Sequence, residues 1–201
     1  MYKILFFICG ATLLWHGQCG AEEWRQNAQT LPQYCQDRAK GWEVPAYQRW
    51  KKSFGDVFVH MHHYCGGIYA EQKARSTIDQ QERQRWLRNV MGEMSYVSRH
   101  CSTKCAFYPE LHSRWGWALG STGQVGEAMM HYQLAIKAKP KYVPAYAKLA
   151  DLYIDIDQPD EARKVLEKGL AAKPGSRMLK KRLIKLDDAL KPDESENGAG
   201  S

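Results

Sequence analysis

Side chains able to ligate a metal or carry protons crowd between His60 and Cys65, where His60, His62, His63 and Cys65 stand almost together. His60 and His63 are three residues apart. On a helix that spacing puts both imidazoles on one face, where they can share one metal ion. Two ligands do not make a site, so a third and fourth would have to come from His100, His112 or a carboxylate. Met61, Met91 and Met94 add soft sulfur of the kind copper prefers. The plainer reading is that His62 and Cys65 pack in a core, the other histidines line a surface and the methionines form a core stripe. We take the plainer reading and expect no cofactor. Metal or haem handling by the His60–Cys65 cluster is the alternative.

No catalytic set stands beside this cluster. The chain lacks a G-x-S-x-G elbow, an H-E-x-x-H helix, a phosphate-cradling glycine loop and a C-x-x-C-H haem motif. An enzyme is not expected, nor a small-molecule substrate.

The N-terminus reads as an export signal. Lys3 precedes an apolar run from Ile4 to Trp15, and Cys19-Gly20-Ala21 offers small residues for cleavage after Ala21. The alternative is an uncleaved anchor in the inner membrane. Cleavage would take the formal net charge from +7 to +6. That basic excess suits an anionic partner or peripheral contact with a membrane surface, though a solvated surface explains it as well. Nucleic acid is not an expected partner.

Cys35, Cys65, Cys101 and Cys105 remain after cleavage, an even number in an exported chain. That favours disulfides in an oxidising compartment, periplasmic or extracellular. Three pairings are open; locality favours Cys35–Cys65 and Cys101–Cys105. The second needs a bend, which Ser102-Thr103-Lys104 can supply.

These residues need elements to hold them. The clearest lie between Pro109 and Pro174. His112, Trp115, Gly116 and Leu119 are followed by Ala128, Tyr132, Ala135 and Pro140. Tyr146, Leu149, Ala150 and Tyr153 are followed by Ala162, Leu166, Gly169 and Pro174. Each residue of the second set lies 34 positions beyond its counterpart. Large residues at i, i+3 and i+7 share a helix face, and small Gly116 or Ala150 lets a second helix approach. Gly123 and Asp157 fall where the chain must turn.

This pattern resembles the tetratricopeptide repeat, whose period is 34 residues. The resemblance covers residues 109–174 and implies an all-α fold, a short right-handed stack of antiparallel helix pairs. It also implies a concave groove, lined by the first helices, that takes a protein or peptide partner. Carried onto this sequence, the groove positions are Glu110, Ser113, Trp117, Gly120 and Ser121 in the first unit. In the second they are Pro144, Ala147, Asp151, Ile154 and Asp155. Trp117 becomes an exposed anchor in a groove rimmed by carboxylates.

Upstream, residues 22–108 read as extra helices. One follows Leu31-Pro32, capped by Thr30, and stops near Gly41. A short one follows Pro45 and ends at Gly55. A third runs from Val57 to about Arg75, capped by Asp56, and a fourth from near Asp79 to about His100. The last two form a degenerate repeat-like hairpin, with His62, Cys65, Gly66 and Tyr69 in the repeat register. Its groove positions are then His60, His63, Gly67, Ala70 and Glu71. Downstream, residues 175–190 form a capping helix with Met178, Leu179, Leu183 and Leu186 inward and Arg177, Lys180, Lys181, Arg182 and Lys185 outward. Residues 191–201 lack an apolar face and should be disordered. The sum is an exported scaffold for protein–protein interaction in envelope-complex assembly: pilus, secretion, polysaccharide export or cytochrome maturation.

Overall fold

The computed structural model describes residues 19–191, with side chains from residue 23. The apolar run assigned to an export signal and the tail after residue 191 lie outside the described residues. The proposed cleavage point, after Ala21, falls at the start of the first helix. Among the described residues the fold is all-α. The helices are α1 (Cys19–Gln26), α2 (Gln33–Ala39), α3 (Pro45–Phe54), α4 (Met61–Ser76), α5 (Gln80–Ser98), α6 (Tyr108–Ser121), α7 (Val125–Ala138), α8 (Val143–Asp155), α9 (Pro159–Ala172) and α10 (Arg177–Ala189).

The two repeat units appear as the hairpins α6–α7 and α8–α9, stacked in order, and α10 packs on both helices of the second. Their turns match as closely as their helices. Gln124 N–H donates to Leu119 O at 2.9 Å, and Gln158 N–H donates to Tyr153 O at 2.8 Å. Gly123 and Asp157 carry the positive φ that such a helix ending requires, +81° and +58°. Pro140 and Pro174 each follow a helix end, while Pro109, Pro144 and Pro159 sit in first turns, where no N–H is needed.

Two expected caps are corrected. Thr30 does not cap α2. It belongs to a 3-10 turn, Ala28–Thr30, and its hydroxyl donates to Asn27 O at 3.0 Å. Asp56 does not start α4 either, because Gly55–His60 forms a 3-10 turn and α4 begins at Met61. Asp79 does cap α5, accepting from Glu82 N–H at 2.7 Å.

The third hairpin, α4–α5, carries the thickest part of the core. α4 is packed by α1 and α2, by α5 and by α6. It is buried on nearly every face, with Tyr64, Cys65, Ile68, Tyr69 and Ala70 all closed to water. Cys35 and Cys65 lie at disulfide distance and tie α2 to α4. Cys101 and Cys105 lie at disulfide distance in the α5–α6 connection.

The register of this hairpin differs from the sequence expectation by one residue. A Cβ on Gly67 would lie 2.4 Å from Met94 Cε of α5, whereas one on Gly66 would meet only ordinary contacts. Gly67 therefore does for α5 what Gly116 does for α7. His62, expected at a core position, is half-exposed, and His63 faces α5 instead.

The capping helix also departs in detail. Leu179 and Leu186 are buried as expected, but Met178 is 46% exposed. Arg182, expected to face solvent, reaches back to α8 and grips Asp151 with two hydrogen bonds of 2.9 and 3.0 Å.

Candidate functional site

The cleft across the hairpin stack, about 380 Å³, is lined by Arg75, Arg83, Trp117, Gly120, Ser121, Tyr132, Lys148, Asp151, Leu152, Asp155 and Arg182. Repeat geometry brings them together. α4, α6 and α8 lie in sequence along the stack, so residues on matching faces of each add up to one surface.

Behind Arg75 and Lys148 of this lining is a buried carboxylate. Glu71 is 5% exposed and holds three cations from three helices. Arg75 donates to its Oε1 through Nε and Nη2 at 3.0 and 2.8 Å, and Arg114 Nη1 donates to its Oε2. Lys148 Nζ stands 4.0 Å from Oε1. Burial pushes the Glu71 carboxyl up, but Arg114, Lys148 and Arg75 together outweigh it and hold it below its ordinary range. Arg114 also pairs with Glu110, through Nη2 and Nε at 2.6 and 3.0 Å. Burial works against the Arg114 charge, yet the carboxylates of Glu71 and Glu110 raise its pKa and keep it charged. Above this network the Arg75 guanidinium carbon sits 3.8 Å over the Trp117 ring.

The expected groove residues are sorted by this geometry. Trp117, Ser121, Asp151 and Asp155 line the cleft. Ile154 is 43% exposed beside Asp155. Ser113 and Ala147 are buried between helices, at 1% and 2% exposure, so they form wall rather than contact surface. Glu110 is half-buried and taken up by Arg114. Trp117 is half-buried beneath Arg75 rather than exposed.

The expected carboxylate rim is corrected too. Among the described residues four cations line the cleft against Asp151 and Asp155, with Glu71 behind them taking up Arg75 and Lys148. Asp151 is occupied by Arg182. Sequence reasoning missed Arg75, Arg83, Lys148 and Arg182. It had placed Glu71 in the groove but had no way to see that α6 and α8 close over it.

His60 and His63 are not in the cleft. They lie against α5, His60 at the end of the 3-10 turn before α4 and His63 in the first turn of α4. His60 stacks on His100 with ring centroids 3.7 Å apart, and its Nδ1 is 3.2 Å from the Tyr96 hydroxyl. His63 Nδ1 is 2.6 Å from Glu93 Oε2, and His62 Nδ1 is 3.0 Å from Val59 O. Burial pushes the His62 imidazole down to about 4, assisted by His63. Among the described residues no group of three or more His, Cys, Asp or Glu side chains is placed to hold a metal ion.

A second pair of histidines was legible only in part. His112 sits at a matched repeat position, and the structure places its Nδ1 2.7 Å from Nδ1 of His131 on α7. Trp115, half-buried, covers His131 with ring centroids 4.2 Å apart.

Arrangement and packing define a stack of tetratricopeptide-like helix pairs, and comparison with known proteins agrees. Residues 121–183 match the family model described as tetratricopeptide repeat. The chain is similar to a thermophilic tetratricopeptide repeat protein of Thermus thermophilus, with 17% identity and a TM-score of 0.55 over 84% of this chain and 98% of that one. That likeness shows the fold. Weaker likenesses are to the Sgt2 repeat domain of Aspergillus fumigatus, with 19% identity and TM-score 0.47 over 67% of this chain and 84% of that one. The first such domain of Spaghetti, bound to an HSP90 peptide, gives 17% identity and TM-score 0.44 over 62% and 94%. No curated protein matches the chain.

Proposed function

We infer that the chain is a protein-recognition scaffold whose cleft takes an extended acidic segment of a protein partner. One observation carries this reading: Arg75, stacked on Trp117, shares the cleft with Lys148, Arg182 and Arg83, and the first three stand at carboxylates while Arg83 does not. Arg83 has no ion pair among the described residues and is open to a ligand. A planar guanidinium over an indole gives a peptide both an apolar shelf and a charged grip. We propose no enzymatic role for the chain.

The setting we propose is the bacterial periplasm or the extracellular space, where the scaffold would serve assembly of an envelope complex. Two features support it: the apolar run after Lys3 and the two cysteine pairs. Among the described residues no helix is long and apolar enough to cross a membrane. Lys180, Lys181 and Lys185 on α10 are the part of the surface suited to peripheral contact with anionic lipid. Thiol labelling of exported, unreduced, denatured protein checks the compartment: it should find no free thiol among Cys35, Cys65, Cys101 and Cys105, and two or more reactive thiols would refute the assignment.

The cleft itself is tested by binding of dye-labelled acidic peptides to the wild type and to Arg83→Glu. Arg83 is half-buried at the edge and carries no fold contact of its own among the described ion pairs. Its reversal should weaken acidic peptides at low salt and leave the thermal melt in place. An unchanged affinity would remove the charge argument.

A further inference from the structure

Lys148 is an ammonium group with too few partners. It can donate three hydrogen bonds. Among the described residues it has one acceptor within hydrogen-bond reach, Ser113 O, at 3.4 Å. Glu71 Oε1 is 4.0 Å away, and both oxygens of that carboxylate already serve guanidiniums, Arg75 at Oε1 and Arg114 at Oε2.

The local charge count points the same way. Glu71 and Glu110 are matched by Arg75 and Arg114, neither of which can give up its proton. Lys148 is the third cation in a cluster with two anions. It is also the only one of the three able to become neutral. Its side chain is 24% exposed and lines the cleft, which gives a small donor a route toward it. Burial, with Arg114 and Arg75, brings its pKa down to about 8, with Glu71 opposing.

We propose that Lys148 is a covalent modification site, an amine that is acylated by anionic activated acyl donors such as acyl phosphates. The neutral Nζ attacks the acyl carbon, the new N–C bond forms, and the bond from that carbon to the phosphate oxygen breaks. The phosphate leaves with the electron pair, and the amine's extra proton goes to solvent. Arg75 and Arg83 line the same cleft and favour an anionic donor. The product amide carries no charge. Acylation therefore removes the unmatched cation and fills part of the cleft, which gives the scaffold a means of regulation. Lys148 reacts in this way whatever segment the cleft takes.

The test is acylation of the whole folded chain with acetyl phosphate at pH 7.5, with the initial rate at each lysine read by peptide mass spectrometry. A lysine with so low a pKa has far more free amine than an ordinary one, and its lower basicity gives part of that gain back. Lys148 should react roughly tenfold faster than exposed Lys168 or Lys173. Its rate should level off above about pH 9, while theirs climb on to pH 10. In urea-unfolded protein the preference should vanish. Lys148 reacting no faster than Lys168, or its rate climbing without a plateau, would overturn the proposal. Arg75→Gln supplies a second reading: with one neighbouring cation gone, Lys148 should become more basic and slow at pH 7.5, and an equal or faster rate contradicts the mechanism.

Discussion

His112 and His131 face each other Nδ1 to Nδ1 at 2.7 Å between α6 and α7, each 5% exposed. One ring must donate through Nδ1–H while the other accepts, so the contact exists only while at least one ring is neutral. Burial pushes both imidazoles down to about 4, His112 also through the charge His131 would carry. Tyr108, whose ring lies 4.2 Å from His112, offers no charge to offset protonation.

The sign follows from these pKa values. Both folded values lie below the unfolded value of about 6.5. The unfolded chain binds more protons below that pH, so stability is complete above it and declines toward pH 4. Each ring should cost on the order of 3 kcal/mol across that window. Urea melts from pH 8 to pH 4.5 should show midpoints steady above pH 7 and falling below 6.5. His131→Gln should flatten the fall. A wild-type profile that is level down to pH 5 would show that the pair is not held neutral.

Glu71 is the residue whose loss should harm the fold most. Removing a buried carboxylate leaves Arg114, Arg75 and Lys148 without their shared partner. That situation costs about 3–5 kcal/mol. Glu71→Ala should lower the denaturation midpoint accordingly, while Asp155→Ala, at an exposed rim position, should stay within about 0.5 kcal/mol. Equal effects from the two variants would mean that the network contributes little.

The glycines test the packing of the hairpins. A Cβ at Gly116 would stand 3.0 Å from Ala128 O, a backbone atom, and from the ring of buried Tyr132. At Gly67 the closest atom is Met94 Cε, the end of a flexible side chain. Gly116→Ala should therefore cost about 1–3 kcal/mol and Gly67→Ala less. Thermal melts that rank them in the opposite order would show that the Gly67 contact, with Glu93 Cβ behind Met94, is the stiffer one.

The parts of this fold that were legible in the sequence are those where one local rule repeats. Gly123 and Asp157, Pro140 and Pro174, and the large–small alternation of α6 and α8 each follow from helix geometry alone. α4 was harder. It is packed on nearly every side, so its apolar residues carry no face period, and Gly66 and Gly67 could each serve as the point of close approach. That single ambiguity moved His62 and His63. The cleft chemistry was hidden for a different reason. Glu71 and Arg114 share a hydrogen bond across 43 residues of sequence. Nothing in either stretch announces the other. Arg182 looked like part of a solvated basic face until the stacking of α10 on α8 brought it to Asp151.

The central claim is that the cleft binds an acidic extended segment over Trp117. The most direct measurement is fluorescence anisotropy of two dye-labelled peptides of equal length, one rich in Glu and Asp with an aromatic residue, the other with Lys at every acidic position. The acidic peptide should bind, more weakly as salt screens the contact. Trp117→Ala should cost it about 2 kcal/mol, as loss of a buried aromatic anchor does, while leaving the protein folded. If the basic peptide binds as well as the acidic one, or Trp117→Ala binds the acidic peptide unchanged, the cleft is not the recognition site described here.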